Sequence, residues 1–302
     1  MKTCIVIAGP TAVGKTSLAI AIAQHFDTSI LSADSRQCFK ELSIGVAKPS
    51  PEELQQVKHY FINSHSITDD VNAAVFEQYA LNAARDIFAH RDIAVMAGGT
   101  GLYIKAFCEG LDDIPAIDSA TRADIQRRYR EGGLAWLQEA VGAEDPAWYA
   151  SGEIQNPQRL MRALEVKRAT GQSIRSFQEG KTAPRDFTII KIGLDLPREQ
   201  LYAHINHRVD VMMQQGLLEE VKSLLPYRQL NALQTVGYKE LFDYLDGAIS
   251  LDEAIDTLKK NTRHYAKRQL TWFRRDTGIT WFSPVAYEEI MAHLLHSPAS
   301  GG

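Results

Sequence analysis

The chain has few cysteines, no long apolar run and no net positive charge, and each shortage narrows the possibilities. The three cysteines, Cys4, Cys38 and Cys108, form no C-x-x-C pair, so neither a disulfide framework nor a zinc site is expected. No stretch approaches the ~20 apolar residues of a membrane span. The first apolar run, Ile5 to Ala8, stops at Gly9-Pro10, too soon for a signal peptide. A reduced, cytoplasmic chain without membrane association is the expectation. The formal net charge is −4, so any RNA surface must be a local patch. There is no internal repeat and no low-complexity tract. With 302 residues, 45% hydrophobic and 23% charged, the chain is long enough for a large core or two domains.

Against this ordinary background one stretch stands out. Gly9-Pro10-Thr11-Ala12-Val13-Gly14-Lys15-Thr16 fits G-x-x-x-x-G-K-[ST], the phosphate-binding loop. Thr3 to Ala8 before it reads as a buried parallel strand. Leu18, Ile22 and Phe26 after it give the four-residue spacing of a helix. Such a loop turns tightly at its glycines and points successive N–H groups at phosphate oxygens. The helix N-terminus adds partial positive charge there. Lys15 is placed to hold the outer phosphate and the Thr16 hydroxyl to sit on Mg²⁺.

Thr28 to Ala33 reads as a second strand, ending at Asp34-Ser35-Arg36-Gln37. In a parallel α/β sheet ligands bind beyond the carboxyl ends of the strands, so Asp34 should face the phosphates. The bland alternative is a helix cap or a salt bridge. After a helix over Val75 to His90, Ile93 to Ala97 forms a third buried strand, closed by Gly98-Gly99-Thr100-Gly101. A nucleotide hydrolase would normally place a metal-holding Asp there. Its absence means that the acid comes from elsewhere, Asp34 being one source, or that no NTP is hydrolysed. The glycines admit the close approach of a ligand, and Thr100 offers a hydroxyl.

From Asp112 to about Pro184 the pattern is helical and carries Arg122, Arg127, Arg128, Arg130, Arg159, Arg162 and Arg168, a candidate for backbone binding or a solvated surface. Phe187 to Leu194 returns to strand, and Pro197 to Met213 is a helix ended by Gly216. Arg208 on that helix could clamp a diphosphate. Leu233 to Lys239 is a loop. Thr257 to Arg275 contains no acid, and interleaves Lys259, Lys260, Arg263, Lys267, Arg268, Arg274 and Arg275 with His264, Tyr265, Trp272 and Phe273. That suits an RNA backbone with stacked bases, or an amphipathic helix with some aromatics in the core. The expected boundaries are residues 1–111 for the first part of the core, 112–186 for a helical insert, 187–295 for the rest of the core with its basic C-terminal helical region, and 296–302 for a tail.

Taken together, GPTAVGKT (9–16), DSRQ (34–37), GVAKP (45–49), GGTGLY (98–103), NPQR (156–159), VGYK (236–239) and KRQLTWFR (267–274) resemble the tRNA dimethylallyltransferases. The likeness runs from residue 3 to about residue 283. It implies an α/β fold, a P-loop NTPase-like parallel-sheet core with an inserted all-helical domain that grips the anticodon stem-loop. The activity implied is transfer of a dimethylallyl group from dimethylallyl diphosphate to N6 of adenosine 37 of tRNA, releasing diphosphate, by a monomer using Mg²⁺. Asp34 would be the general base and Thr100 its partner at the target base, with Lys15 and Arg208 stabilising the departing diphosphate. The loop from Gly9 to Thr16, that is Gly9, Pro10, Thr11, Ala12, Val13, Gly14, Lys15 and Thr16, would hold that diphosphate in place of ATP.

The tRNA-contacting residues implied by the same motifs fall in four segments. They are Asp34, Ser35, Arg36 and Gln37; Gln158, Arg159, Leu160, Met161 and Arg162; Gln234, Thr235, Val236, Gly237, Tyr238 and Lys239; and Lys267, Arg268, Gln269, Leu270, Thr271, Trp272, Phe273 and Arg274. Thr100 and Arg122 join them. Departures from the family pattern are local: Cys38-Phe39 stands where Val-Tyr is usual, Val46 where Thr is, and Asn156 where Asp is. Two rival readings keep the loop but change the function. A small-molecule kinase would bind ATP and release ADP without RNA. A non-enzymatic RNA-binding protein would use the loop only to sense nucleotide.

Overall fold

Among the described residues six segments form the sheet, apolar except for the short β3: β1 (Thr3–Ala8), β2 (Ile30–Ser32), β3 (His59–Tyr60), β4 (Ile93–Gly98), β5 (Thr188–Leu194) and β6 (Ile279–Phe282). Their order is β3-β2-β4-β1-β5-β6, and every pairing is parallel. This is a computed structural model, and it describes residues 1–178, 180 and 182–296. The chain divides into two units, Met1–Glu109 with Pro184–Gly302, and Gly110–Ala183.

In the first unit the helices are α1 (Lys15–His25), α2 (Pro51–Gln56), α3 (Ala73–Phe88) and α4 (Gly101–Glu109). The second unit contributes α5 (Ser119–Glu144), α6 (Pro146–Tyr149) and α7 (Pro157–Thr170), and among its described residues every element is helical. The first unit then resumes with α8 (Arg198–Gln214), α9 (Leu217–Ser223), α10 (Lys239–Leu245), α11 (Leu251–Phe273) and α12 (Tyr287–His296). The tail expected over 296–302 starts with the last residue of α12, and 297–302 lie outside the described residues. Gly216, read as the end of the helix from Pro197, follows it at φ +98° and immediately starts α9.

All six residues of β1 are buried, because a central parallel strand is covered on both faces. Alternation splits its side chains. Cys4, Val6 and Ala8 join one core with Phe76, Phe107 and Phe273, while Ile5 and Ile7 join another with Leu18, Ile22, Leu201 and Ile290. The three cysteines are buried free thiols inside these layers. Burial pushes Cys38 and Cys108 up to about 12, so both stay protonated and pack as small apolar groups.

The second unit has its own core of Ile125, Leu137, Val141, Trp148, Leu160, Leu164 and neighbours. Gly133 breaks the helical dihedrals inside α5 (φ 63°, ψ −158°). Asn156, where the family pattern has Asp, caps α7 by accepting from the Gln158 and Arg159 N–H groups. Either side chain offers the oxygen that this role needs. Among the described residues no helix is long and apolar enough to cross a membrane.

Candidate active site

The registers Ala8↔Gly98 and Ser32↔Ala97 bring the carboxyl ends of β1, β4 and β2 to one edge of the sheet. The phosphate loop, the Thr100 loop and Asp34 therefore leave the sheet side by side. At Gly9 an added Cβ would lie 2.9 Å from the Leu194 carbonyl oxygen, so the chain passes too close to β5 for any side chain. Gly14 takes φ +102°, a turn that L-residues rarely adopt, and α1 starts at Lys15. The first-turn N–H groups of α1 thus point into the space beyond the loop.

The Lys15 Nζ donates to the Pro10 carbonyl at 2.6 Å. Arg208 reaches over from α8 and donates to Thr11 Oγ1 at 3.2 Å. Burial, and then the neighbouring Arg208 cation, bring Lys15 down to about 7, against the opposing pull of Asp34. Burial lowers Arg208 from its ordinary value too. Two desolvated cations side by side are a costly arrangement, eased for Arg208 by the Glu53 carboxylate, and an anion placed between them would relieve it further.

Asp34 lies between the ends of β2 and the Thr100 loop. Its Oδ1 accepts from the N–H groups of Arg36 (2.9 Å) and Gln37 (3.2 Å), while Oδ2 accepts no hydrogen bond among the described residues. The capping alternative therefore describes one oxygen and leaves the other available. Thr100 Oγ1 accepts from the Ser35 N–H at 3.1 Å, which ties its loop to the one after Asp34. Burial and the Asp34 carboxylate push the Tyr265 phenol up to about 12, partly offset by Arg36, Arg268 and the Thr100 hydroxyl.

A cavity of about 480 Å³ is lined by Thr11, Lys15, Thr16, Asp34, Arg208 and Tyr265 among others, while Thr100 is not part of its lining. A smaller cavity of about 240 Å³ is also lined by Thr11, Asp34, Arg208 and Tyr265, and has an apolar wall of Val209, Val236 and Leu258 with Met212, which lines the larger cavity as well. The glycines at the end of β4, Gly98 and Gly99, behave differently from expectation. A Cβ on Gly98 would lie 2.2 Å from the Ala33 carbonyl oxygen, and one on Gly99 would lie 2.2 Å from Gln269 Nε2. Their missing side chains make room for the protein's own chain rather than for a ligand.

Several residues implied as tRNA contacts have no free side chain. Leu160, Met161, Tyr238, Gln269 and Phe273 are buried, and Gly237 is buried with them. Leu160 and Met161 fill the second unit's core, while Tyr238 and Phe273 fill the first unit's. Gln158, Arg159, Gln234, Lys239, Lys267, Arg268, Thr271, Trp272 and Arg274 are exposed, and Ser35, Arg36, Gln37, Arg162, Thr235, Val236 and Leu270 are half-buried.

The acid-free stretch is not free of partners. Lys259 pairs with Asp210 at 2.6 Å, Arg263 donates to Asn206 Oδ1 at 2.7 Å, and Arg274 pairs with Asp195 at 2.6 Å. Packing of α11 on α8 supplies the first two partners. Lys267 and Arg268 carry no ion pair among the described residues; Arg268 lies 5.8 Å over the Tyr265 ring. The insert's arginines are largely compensated as well. Arg127 and Arg128 pair with Asp124, Arg159 with Glu153, Arg168 with Glu144, and Arg122 and Arg162 approach Glu165.

One functional group left no trace in the sequence pattern. Glu220 on α9 accepts from the N–H groups of Ser43 (3.2 Å), Ile44 (2.8 Å) and Gly45 (3.0 Å), and from the Tyr238 hydroxyl (2.7 Å). It fixes the 43–49 loop that walls both cavities. Its burial and the Glu220 charge hold the Tyr238 phenol well above its ordinary range, so it stays a donor.

Comparison with known proteins places this geometry in a family. The IPP transferase family model matches residues 37–276. A tRNA dimethylallyltransferase 1 from Bacteroides thetaiotaomicron is 46% identical over 294 residues, covering 97% of this chain and 96% of that protein. A tRNA dimethylallyltransferase from Christiangramia forsetii is 50% identical over 276 residues, covering 91% of each. The solved full-length tRNA isopentenylpyrophosphate transferase from Bacillus halodurans superposes with a TM-score of 0.70 at 35% identity, covering 97% of this chain and 94% of that one. A eukaryotic dimethylallyltransferase solved while acting on tRNA has a TM-score of 0.77 at 24% identity, covering 100% of this chain and 81% of that one, and shares the fold. This chain belongs to the IPP transferase family, and its core is the family's P-loop NTPase-like parallel sheet.

Proposed function

We propose that this enzyme transfers the dimethylallyl group of dimethylallyl diphosphate to N6 of adenosine 37 in a tRNA anticodon loop, releasing diphosphate. The observation that carries the reading is a cavity shared by the phosphate loop and Asp34, at a sheet edge whose central strand pair brings no acid of its own. Loop N–H groups, Lys15 and Arg208 hold the diphosphate, and their attraction grows as the allylic carbon–oxygen bond breaks and charge collects on the leaving oxygen. The anion restores the Lys15 ammonium that burial disfavours. The apolar wall of Val209, Met212, Val236 and Leu258 suits the five-carbon chain.

An exocyclic adenine amine is a weak nucleophile because its lone pair is delocalised into the ring. Asp34 Oδ2 takes its proton as the new carbon–nitrogen bond forms, and Thr100 orients the base. The adenine leaves the anticodon stack to reach them. Among the described residues no cluster of three acids, histidines or cysteines could cage a metal. Mg²⁺ fits a sparser arrangement, since it binds through few protein oxygens plus substrate phosphates, and Thr16 and Asp34 line the same cavity. When bound on Thr16 it would offset the diphosphate charge. The exposed members of the four tRNA segments, Lys267 and Arg268 foremost, contact the RNA backbone.

The test is incubation with bulk unmodified tRNA and labelled dimethylallyl diphosphate, followed by nucleoside analysis. Label in N6-dimethylallyladenosine with matching diphosphate release is the expected result. ADP formed from ATP without RNA would support the kinase instead, and tRNA binding without turnover would support the nucleotide sensor.

A further inference from the structure

Helix α11 meets the phosphate loop and the Thr100 loop along one face. Tyr265, Gln269 and Trp272 are spaced by four and three residues, so they share that side of the helix. Gln269 is 6% exposed, and both ends of its carboxamide are engaged. Oε1 accepts from the Thr11 N–H at 2.8 Å, and Nε2 donates to the Gly99 carbonyl at 2.9 Å. A flipped amide would set donor against donor and acceptor against acceptor, so the network fixes its orientation. The two glycines after it in space are shaped to the same face. A Cβ at Gly99 would strike Gln269 Nε2 and one at Gly101 would strike Trp272 Cδ1, each at 2.2 Å. GGTG and KRQLTW are thus two halves of one interlock.

We propose that Gln269 is a positioning residue for the prenyl transfer, its carboxamide setting the register between the donor's loop at Thr11 and the acceptor's loop at Gly99–Thr100. The proposal rests on the function given above. The β1–β4 ladder ends at Ala8↔Gly98. Past that point Gln269 is what joins the Thr11 N–H to the Gly99 carbonyl. The reaction needs the allylic carbon and the adenine nitrogen within near-attack distance, and a ~1 Å misplacement costs ~10²-fold in rate. Gln269 also removes the Thr11 N–H from the groups open to phosphate, so the donor is held by the later N–H groups of the loop and is placed further toward Lys15.

The experiment compares wild type with Gln269→Leu, Gln269→Glu and Gly99→Ala in the full chain. Single-turnover prenylation is measured at saturating tRNA and donor, with tRNA affinity and a melting curve on each protein. A wild type that does not prenylate tRNA would sink the functional reading itself, before any variant is compared. With an active wild type, the rate constant of folded Gln269→Leu should fall ~10- to 10²-fold while tRNA affinity stays within about two-fold.

Gln269→Glu keeps the acceptor for Thr11 but opposes the Gly99 carbonyl, and it should fall in the same direction. It decides the question if the leucine variant does not fold. Gly99→Ala expels the carboxamide and should match the leucine variant. Adding Gln269→Ala to it should cost nothing further, because the smaller side chain leaves room for the new methyl group. Folded Gln269 variants working within about three-fold of wild type, with only the melting temperature lowered, would overturn the proposal.

Discussion

Asp34→Asn is the sharpest test of the proposed chemistry, because the structure separates what the substitution keeps from what it removes. Asn retains Oδ1, the atom that accepts from the Arg36 and Gln37 N–H groups, so the turn after β2 keeps both hydrogen bonds. These change from charge-assisted to neutral, a loss on the order of 1 kcal/mol of stability. The other oxygen, which has no partner among the described residues, becomes an amide nitrogen that cannot accept a proton. Loss of a general base costs ~10² to 10⁴ in rate, or ~2.7 to 5.4 kcal/mol of barrier. Ground-state tRNA affinity should hold, since phosphate contacts elsewhere supply most of it. Single-turnover prenylation and a melting curve on the same preparation read both effects. A folded Asp34→Asn enzyme that melts lower but turns over within a few-fold of wild type would refute the base assignment and leave Asp34 a cap alone.

Lys15→Ala should lower the transfer rate by at least ~10²-fold, the cost of losing one donor to a developing anion; transfer at a near wild-type rate would remove Lys15 from the mechanism. Burial and Arg208 hold Lys15 at about 7 in the donor-free protein, so its ammonium is lost as pH rises through that value. Donor affinity should therefore weaken as pH rises from ~6 to ~8, and binding above ~7 should take up a proton, which calorimetry in buffers of different ionisation enthalpy detects. A flat affinity with no proton uptake would contradict the lowered value. Lys267→Ala and Arg268→Ala should each reduce the log–log salt slope of tRNA binding by roughly 0.7 to 0.9. Arg274→Ala should reduce it less, because Asp195 already neutralises that guanidinium. Unchanged slopes in a folded Lys267/Arg268 double variant would make this surface a solvated helix face.

The readable parts of the sequence were those whose chemistry is local. A phosphate loop must follow a strand and precede a helix, and Thr3 to Phe26 announces all three within 24 consecutive residues. The strand ends that carry Asp34 and Thr100 were legible for a related reason: parallel order sends every carboxyl end to one edge. Charge pairing was not legible in this way. The window from Thr257 to Arg275 holds no acid, yet α8 and the end of β5 supply Asp210, Asn206 and Asp195 from 47 or more positions away. Glu220 is the extreme case. It sits in an ordinary Leu-Leu-Glu-Glu run, and its work is done on N–H groups some 175 residues distant.

The empty place at the end of β4 shows how such distant packing redirects chemistry. A nucleotide hydrolase sets a metal-holding acid at such a strand end. Here no carboxylate could stand there. Gly98 has the Ala33 carbonyl oxygen where its Cβ would be, and Gly99 has the Gln269 carboxamide. The nearest acid must come from the neighbouring strand, and β2 pairs with β4 and delivers Asp34 just past its end. In the proposed reaction an acid displaced by one strand would face the adenine as well as the phosphates: Asp34 and Tyr265 line both cavities, and the Thr100 hydroxyl is tied to the loop after Asp34 through the Ser35 N–H. In the same proposal the charge on the diphosphate would fall to the neighbouring cations Lys15 and Arg208. Those two shifts, acid toward the nucleophile and cations toward the leaving group, suit substitution at carbon better than attack of water on phosphorus.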